Sequence, residues 1–238
     1  MAAGEDVRPR GARPVWILAL DASLARCSAA VLADGEIRAH RGLATERGHA
    51  SALPPMVAEV LAEAGVRGPD LDAVAAVVGP GGFTGLRAAL ALAEGLALAS
   101  GVPVIGVTTG EALAAAVPAA LRAHRAIWAV VDTRRGRVVL ERFALGASAP
   151  LSPPESLMEE ALPLPDLPIV VAGDAAPAVT ARLAARGADA LLSDVRLPDA
   201  AEVARVAALR LAGRLPPRSV RPLYVEPPAV RPPAAAGA

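Results

Sequence analysis

The sequence predicts an α/β protein whose mixed sheets carry helices on their faces and whose second half repeats the plan of the first. Three observations carry this. Strand-type and helix-type runs follow one another as strand, strand, strand, helix, strand, helix, strand, helix. The stretch "AIWAVVDTRRGRVVLERFAL" then repeats the plan of "WILALDASLARCSAAVL": an apolar strand, an aspartate at its end (Asp132, Asp21), a short polar turn and an apolar return strand. The 238 residues are 54% hydrophobic but only 2% aromatic, so the core must be built from Leu, Val and Ala at close spacing.

Taken in order, residues 1–13 read as a disordered leader. Residues 15–20 form a buried-strand run that ends in a polar turn at Asp21. "CSAAVLADGEIRAHRGL" gives two strands joined at Asp34-Gly35, a dipeptide suited to a tight hairpin. A helix follows over 50–64, with Leu53, Met56, Val57, Val60 and Leu61 at three-and-four spacing and Gly65 as its stop. Then come the strand "LDAVAAVVG", a glycine loop, a helix over 84–99, the short strand "PVIGV" and a helix over 110–123. These make a first lobe, 14–124. A smaller second lobe, 125–214, holds the repeated strand pair around Arg135-Gly136 and a proline-rich loop over 146–168. It continues with the strand–turn–helix "PIVVAGDAAPAVTARLAARG", the short strand "ALLSDV" and a last helix with Asp199 as N-cap. Residues 215–238 read as an extended Pro/Arg/Ala-rich tail.

Composition removes several function classes. The formal net charge is zero, which argues against an autonomous nucleic-acid binder. Every basic residue other than histidine is Arg, so neither a P-loop lysine nor a Schiff-base lysine is available. The lone Cys27 excludes an intramolecular disulfide and a cysteine-built zinc site, and fits a reducing compartment. The longest uncharged run, between Glu94 and Glu111, is broken by Gly and Pro and is shorter than the roughly 20 residues of a membrane span. No signal-type apolar segment follows the polar start. A cytoplasmic protein with no membrane contact is expected.

The loop "GPGGFTG" invites a phosphate-binding reading, but Leu86 follows Gly85 where a Walker loop needs lysine, and Thr84 stands where the dinucleotide fingerprint needs its third glycine. What remains is a tight strand-to-helix turn, with Thr84 as a helix cap and a helix N-terminus that still suits an anion. The helix beyond carries Ala91, Gly95 and Ala99 on one stripe. Gly95 costs about 1 kcal/mol against alanine in a helix interior. The stripe fits close packing on the domain's own sheet or a helix of another chain.

The segments "ILALDASLARCSAAVL", "ERGHASALPPMVAEVLAEAGV", "GPGGFTGLRAALALAEGLALASGVPVIGVTTGEALA" and "PLYVE", in this order, resemble the bacterial TsaB (YeaZ) family. That family is the dimerisation subunit of the tRNA threonylcarbamoyladenosine machinery. The resemblance is strong over 15–145 and thin beyond, and GPG-x-FTGLR is its most specific element. Two departures stand out: Asp21-Ala22-Ser23 where the family has Asp-Thr-Ser, and Tyr224-Val225-Glu226 where it has Tyr-Leu-Arg.

The resemblance implies an actin/Hsp70/sugar-kinase-like (ASKHA) fold of two duplicated ribonuclease-H-like lobes. It implies a TsaD-like catalytic paralogue as partner, paired through helices, a TsaE-like ATPase in the assembly, a homodimer when the chain is alone, and tRNA reached only through the complex. The paralogue's His-x-x-x-His metal pair falls at Thr109 and Leu113, and His40, His49 and His124 do not rebuild it, so no metal, cofactor or catalytic residue is expected. The expected partner surface comprises His49, Leu53, Met56, Val57, Val60, Phe83, Thr84, Arg87, Ala88, Ala91, Gly95 and Ala99. Asp21 and Asp132 are read as turn caps, Glu111 as an early-helix glutamate, His49 as a solvent residue beside a cap, and Ser23 and Cys27 as lacking an activating histidine in sequence. Three alternatives stay open: a metal-dependent threonylcarbamoyl transferase, an M22-type peptidase-like enzyme, and a small-molecule kinase of the same fold. The tail arginines Arg214, Arg218, Arg221 and Arg231 offer weak, salt-dependent contact to phosphates.

Overall fold

The computed structural model describes residues 13–225. Most of the expected leader and the end of the tail, including Glu226 and Arg231, lie outside them. Two five-stranded mixed sheets form the body. The first runs β3-β2-β1-β4-β5, from β1 (Trp16–Leu24), β2 (Arg26–Ala33), β3 (Glu36–Ala44), β4 (Ala73–Gly79) and β5 (Val104–Thr108). The second runs β8-β7-β6-β9-β10, from β6 (Ala126–Asp132), β7 (Arg137–Phe143), β8 (Glu155–Met158), β9 (Ile169–Ala172) and β10 (Ala190–Leu192). In both, the first three strands pair antiparallel and the last two add in parallel. The duplication read from the strand repeat is therefore the topology of the molecule.

The helices are α1 (His49–Ala64), α2 (Phe83–Ser100), α3 (Thr109–Ala116), the short α4 (Ala119–Arg122), α5 (Ala176–Ala185) and α6 (Ala200–Leu211). The inner strands of each sheet are buried on both faces, which is why β4, β9 and β1 as far as Leu20 are continuous apolar runs rather than alternating ones. On one face of the first sheet, Leu53, Val57 and Val60 of α1 and Ala89, Leu90, Ala93 and Ala97 of α2 pack on Leu18, Leu20, Val74 and Ala76. The other face is covered by Val203, Ala204 and Ala207 of α6. In the second sheet α5 covers one face and Leu113, Ala114 and Val117, from and just after α3, the other. The two lobes thus meet through exchanged helices: α3 leaves the first sheet to cover the second, and α6 returns from the second to cover the first. The sequence reading put 200–211 with the second lobe; its apolar stripe belongs to the core of the first.

Several boundaries differ from expectation for identifiable reasons. β1 does not stop at Asp21 but runs on to Leu24, with a register shift between the two. The expected helix over 110–123 breaks at Pro118, which has no backbone N–H to give. The proline-rich loop contains the edge strand β8, whose pairing to β7 no periodicity announces. Thr84 does not cap α2; the cap position is Gly82, and Thr84 lies inside the helix. Asp199 does cap α6, accepting the Ala201 N–H at 2.9 Å. Beyond α6, residues 215–225 form a strap across both lobes. It is tied by Gly106 N–H to the Arg218 carbonyl (3.1 Å) and by Leu223 N–H to the Val78 carbonyl (2.8 Å).

Candidate partner interface and interlobe cleft

α1 and α2 lie side by side on the first sheet, and the face they turn outward mixes small apolar residues with charged ones, Glu59 and Glu63 on α1 and Arg87 and Glu94 on α2. On α2 the i, i+4 series Phe83, Arg87, Ala91, Gly95, Ala99 is exposed throughout, as are Thr84 and Leu98; Ala88 is half-buried. A Cβ built on Gly95 meets nothing within 4 Å, so its own fold does not need the glycine. Among the described residues α2 is the one helix long and apolar enough to cross a membrane, and only 33% of it is buried. In the fold it rests on the sheet, and the remaining apolar length faces outward.

The α1 residues of the expected surface need correction. Leu53, Met56, Val57 and Val60 are buried in the first lobe's own core, because three-and-four apolar spacing marks the face that packs on the sheet. The exposed positions of α1 include Ala50, Pro54, Ala58 and Ala62 at i, i+4, flanked by Ser51, Pro55, Glu59 and Glu63. His49 is likewise buried, not solvent-facing; its Nε2 lies 2.8 Å from the Thr45 carbonyl, and its ring fills the space left by Gly85, where a Cβ would overlap it. At the N-terminal end of the α2 stripe the Arg87 guanidinium stacks 3.6 Å over the Phe83 ring and donates to the Tyr224 hydroxyl at 2.7 Å. No local pattern pointed to this cluster, since Tyr224 arrives from 137 residues away.

Between the lobes lies a cleft of about 1040 Å³. It is lined by Ser23 and the glycine loop on one side, Asp132, Arg134 and Asp174 on the other, and Tyr224 and Val225 of the strap. Gly79 and Gly173, at the ends of β4 and β9, hold φ of +113° and +117°, where only glycine sits without strain. Asp21 is fully buried beside the cleft. Its Oδ1 accepts from Ser23 N–H (3.0 Å) and Ser23 Oγ (2.7 Å), while Oδ2 has no hydrogen-bond partner. Burial pushes its carboxyl up to about 6 despite those two bonds. Asp132 caps its own turn, accepting Arg134 N–H at 2.7 Å, and its N–H donates to Asp174 Oδ1 at 2.9 Å. Asp132 therefore acts as the turn cap expected of it, whereas Asp21 lies within β1 opposite Ser28 of β2 and bonds Ser23 of its own strand at the register shift.

Glu111 does more than favour a helix dipole. It forms a capping box with Thr108, the Glu111 N–H donating to Thr108 Oγ1 (2.9 Å) and the Thr108 N–H to Glu111 Oε2 (2.8 Å), and its Oε1 pairs with buried Arg210. Thr109 and Leu113 are fully buried. The Thr109 hydroxyl donates to the Pro80 carbonyl at 2.5 Å and Leu113 packs in the second core. Among the described residues no three His, Cys, Asp or Glu side chains cluster as a metal would require.

Two duplicated mixed-sheet lobes, exchanged helices and a cleft between the ends of the two sheets define a two-lobed α/β protein built twice on one strand plan. In sequence and in structure the chain is similar to members of the TsaB (YeaZ) family. It is 38% identical over 122 residues to the tRNA threonylcarbamoyladenosine biosynthesis protein TsaB of Escherichia coli (strain K12), covering 51% of this chain and 52% of that one. The TsaB of Haemophilus influenzae matches at 38% over 124 residues, 51% of each chain. The chain thus aligns with about half the length of the curated relatives it matches. The structure described as YeaZ from Pseudomonas aeruginosa superposes with a TM-score of 0.75 at 28% identity, covering 88% of this chain and 99% of that one. The family model that matches, over residues 42–149, is TsaD: tRNA N6-adenosine threonylcarbamoyltransferase. A transferase of that name from Maricaulis maris is 39% identical over 116 residues, 40% of this chain and 31% of its own.

Proposed function

We propose that this chain is a non-catalytic subunit in the N6-threonylcarbamoyladenosine modification of tRNA. It would bind a TsaD-like transferase of the same fold and support it, with a TsaE-like ATPase joining the assembly and tRNA reached through the complex. The observation that carries this reading is the outward face of α2. An 18-residue apolar helix shows Ala91, Gly95 and Ala99 in a row with Leu98 85% exposed, beside Ala50, Pro54, Ala58 and Ala62 of α1. Small residues let a second helix pair approach to close packing distance, and water released from Leu98 and Phe83 supplies the drive. Without the transferase, the same face would pair with a second copy.

A catalytic reading draws on the family model and on relatives named as transferases. At the positions where the resemblance puts that family's metal histidines, this chain has a threonine whose hydroxyl is bonded elsewhere and a leucine, both fully buried. The binding reading is therefore the stronger one.

The decisive variant is Gly95→Leu, since open space at Gly95 leaves the monomer undisturbed and leucine is the better helix former by about 1 kcal/mol. In size-exclusion chromatography with light scattering, the wild-type chain mixed with the host's TsaD-like protein is expected to elute as a complex. Gly95→Leu should elute as a folded monomer with an unchanged or higher melting temperature. Co-elution of a Gly95→Leu complex would overturn the assignment of this face.

A further inference from the structure

The lobes meet on a buried charged cluster that neither the cleft nor the helix face uses. Glu141 of β7, in the second sheet, reaches the start of α3 and accepts the Thr108 hydroxyl at 2.7 Å through Oε2. A Cβ on Gly110 would overlap its carboxyl group, so the carboxyl sits directly against the backbone of the first turn of α3. Glu111 on α3 faces it and pairs with Arg210 of α6, while Arg218 of the strap lies 3.7 Å from Glu111 Oε2. The register partner of Glu141 on β6 is Ala129, which carries no charge. Four segments of chain thus place two carboxyl and two guanidinium groups in one closed space, with Glu141 only 3% exposed.

The cluster is incompletely bonded. Glu141 Oε1, Arg210 Nη1 and Arg218 Nε are all buried without a hydrogen-bond partner. Buried donors and a carboxyl oxygen left without hydrogen bonds are costly, so the cluster is not at its best-bonded arrangement. Burial and then the Glu111 carboxylate push the Glu141 carboxyl up to about 8, more than the Thr108 bond and the two guanidinium groups pull it down.

We propose that Glu141 is a proton-controlled latch between the two lobes. Protonated, it stays seated on the first turn of α3 and the lobe boundary stays closed. Ionised, it is repelled by Glu111 and competes with it for the Arg218 guanidinium, whose Nε makes no hydrogen bond, which pulls on the strap and loosens the contact of β7 with α3. A glutamine would fill the seat equally well but could not change charge. The ionisable group at this position is what makes the boundary respond to pH.

A group raised from 4.5 to about 8 on folding stabilises the fold fully below pH 4.5, and that contribution is lost as pH rises through 8. Within the window one proton changes the folding constant by about tenfold per pH unit. The test follows hydrogen exchange of the full chain at pH 6.5 and 9, corrected for chemical exchange rates. In the wild type, α3 and the two amides that tie the strap, Gly106 of β5 and Leu223, should lose at least about tenfold protection relative to the amides of α1. In Glu141→Gln the ratio should not change with pH. A wild-type ratio that is equal at both pH values overturns the latch, as does a Glu141→Gln chain that still shows the loss. Carbon-13 carboxyl NMR on the wild type adds an independent check, with a Glu141 titration midpoint below pH 6 counting against it. None of these readouts involves a partner, so they stand or fall separately from the helix-face assignment.

Discussion

The two lobes share one strand plan and differ in what surrounds it. The first sheet has strands of nine, eight, nine, seven and five residues; the second has seven, seven, four, four and three. The first lobe carries two long helices side by side on its outer face. The second carries only α5, ten residues long, with Arg182 in its last turn. One helix covers a short sheet, but only two parallel ridges make a groove for another helix pair. The lobe with the longer strands is thus also the one that shows two helices side by side.

The same comparison holds at the turns. Gly79 and Gly173 occupy equivalent ends of β4 and β9 with nearly the same positive φ, yet their surroundings differ. A Cβ at Gly173 would overlap the Val130 backbone of β6, whereas at Gly79 it would sit 3.3 Å from Leu86 Cδ1, a side-chain end that can give, and 3.3 Å from the Leu223 carbonyl. Gly173→Ala should therefore cost at least about 3 kcal/mol, strain plus displaced backbone, and Gly79→Ala about 1–2 kcal/mol, strain alone. Urea denaturation of the two variants would measure the gap. Equal losses would show that the smaller lobe is as adaptable at its turn as the larger.

The paired aspartates give the next largest effect. Asp21, buried and raised to about 6 from 3.8, stabilises the fold below pH 3.8 and loses that contribution as pH climbs through 6, on the order of 3 kcal/mol across the window. Asp21→Asn should flatten this part of the stability profile, leaving the chain more stable than wild type at pH 7. Asp132, half-buried at the equivalent turn, caps a backbone N–H, so Asp132→Asn should change stability by no more than about 1 kcal/mol. Thermal melts between pH 4 and 8 separate the two. An Asp21→Asn profile that parallels wild type would mean that its unpartnered Oδ2 is satisfied in solution.

Much of this was legible in the chain because local chemistry recorded it. The Asp34-Gly35 hairpin, the Gly65 stop of α1, the Asp199 cap of α6 and the repeated strand–Asp–turn–strand unit all depend on residues within a few positions of one another. What was not legible depends on distance in sequence. The Glu111–Arg210 pair spans 99 residues, and the Arg87–Tyr224 bond 137. The direction of α1 shows the limit most clearly. Its apolar periodicity predicts the helix, but the same periodicity puts Leu53, Met56, Val57 and Val60 on the core face and not on a partner surface. On α2 the small stripe was recognised by residue size instead, and those residues do face outward.

The smallest expected effect tests that last distinction on α2 alone. Gly95→Ala adds one methyl group at a site with no atom within 4 Å and removes a helix-interior glycine, so the isolated chain should gain about 0.5–1 kcal/mol. A partner helix packed on the stripe would feel the same methyl as a loss of close approach, weakening association by a few-fold while the monomer becomes more stable. Stability and affinity then move in opposite directions for one substitution. Ala181→Gly, its counterpart on the exposed face of α5, should lower stability by a similar amount and leave association unchanged. Were Gly95→Ala to stabilise the chain and bind the transferase as tightly as wild type, the glycine would owe nothing to a partner. The difference between the two lobes would then rest on sheet length alone.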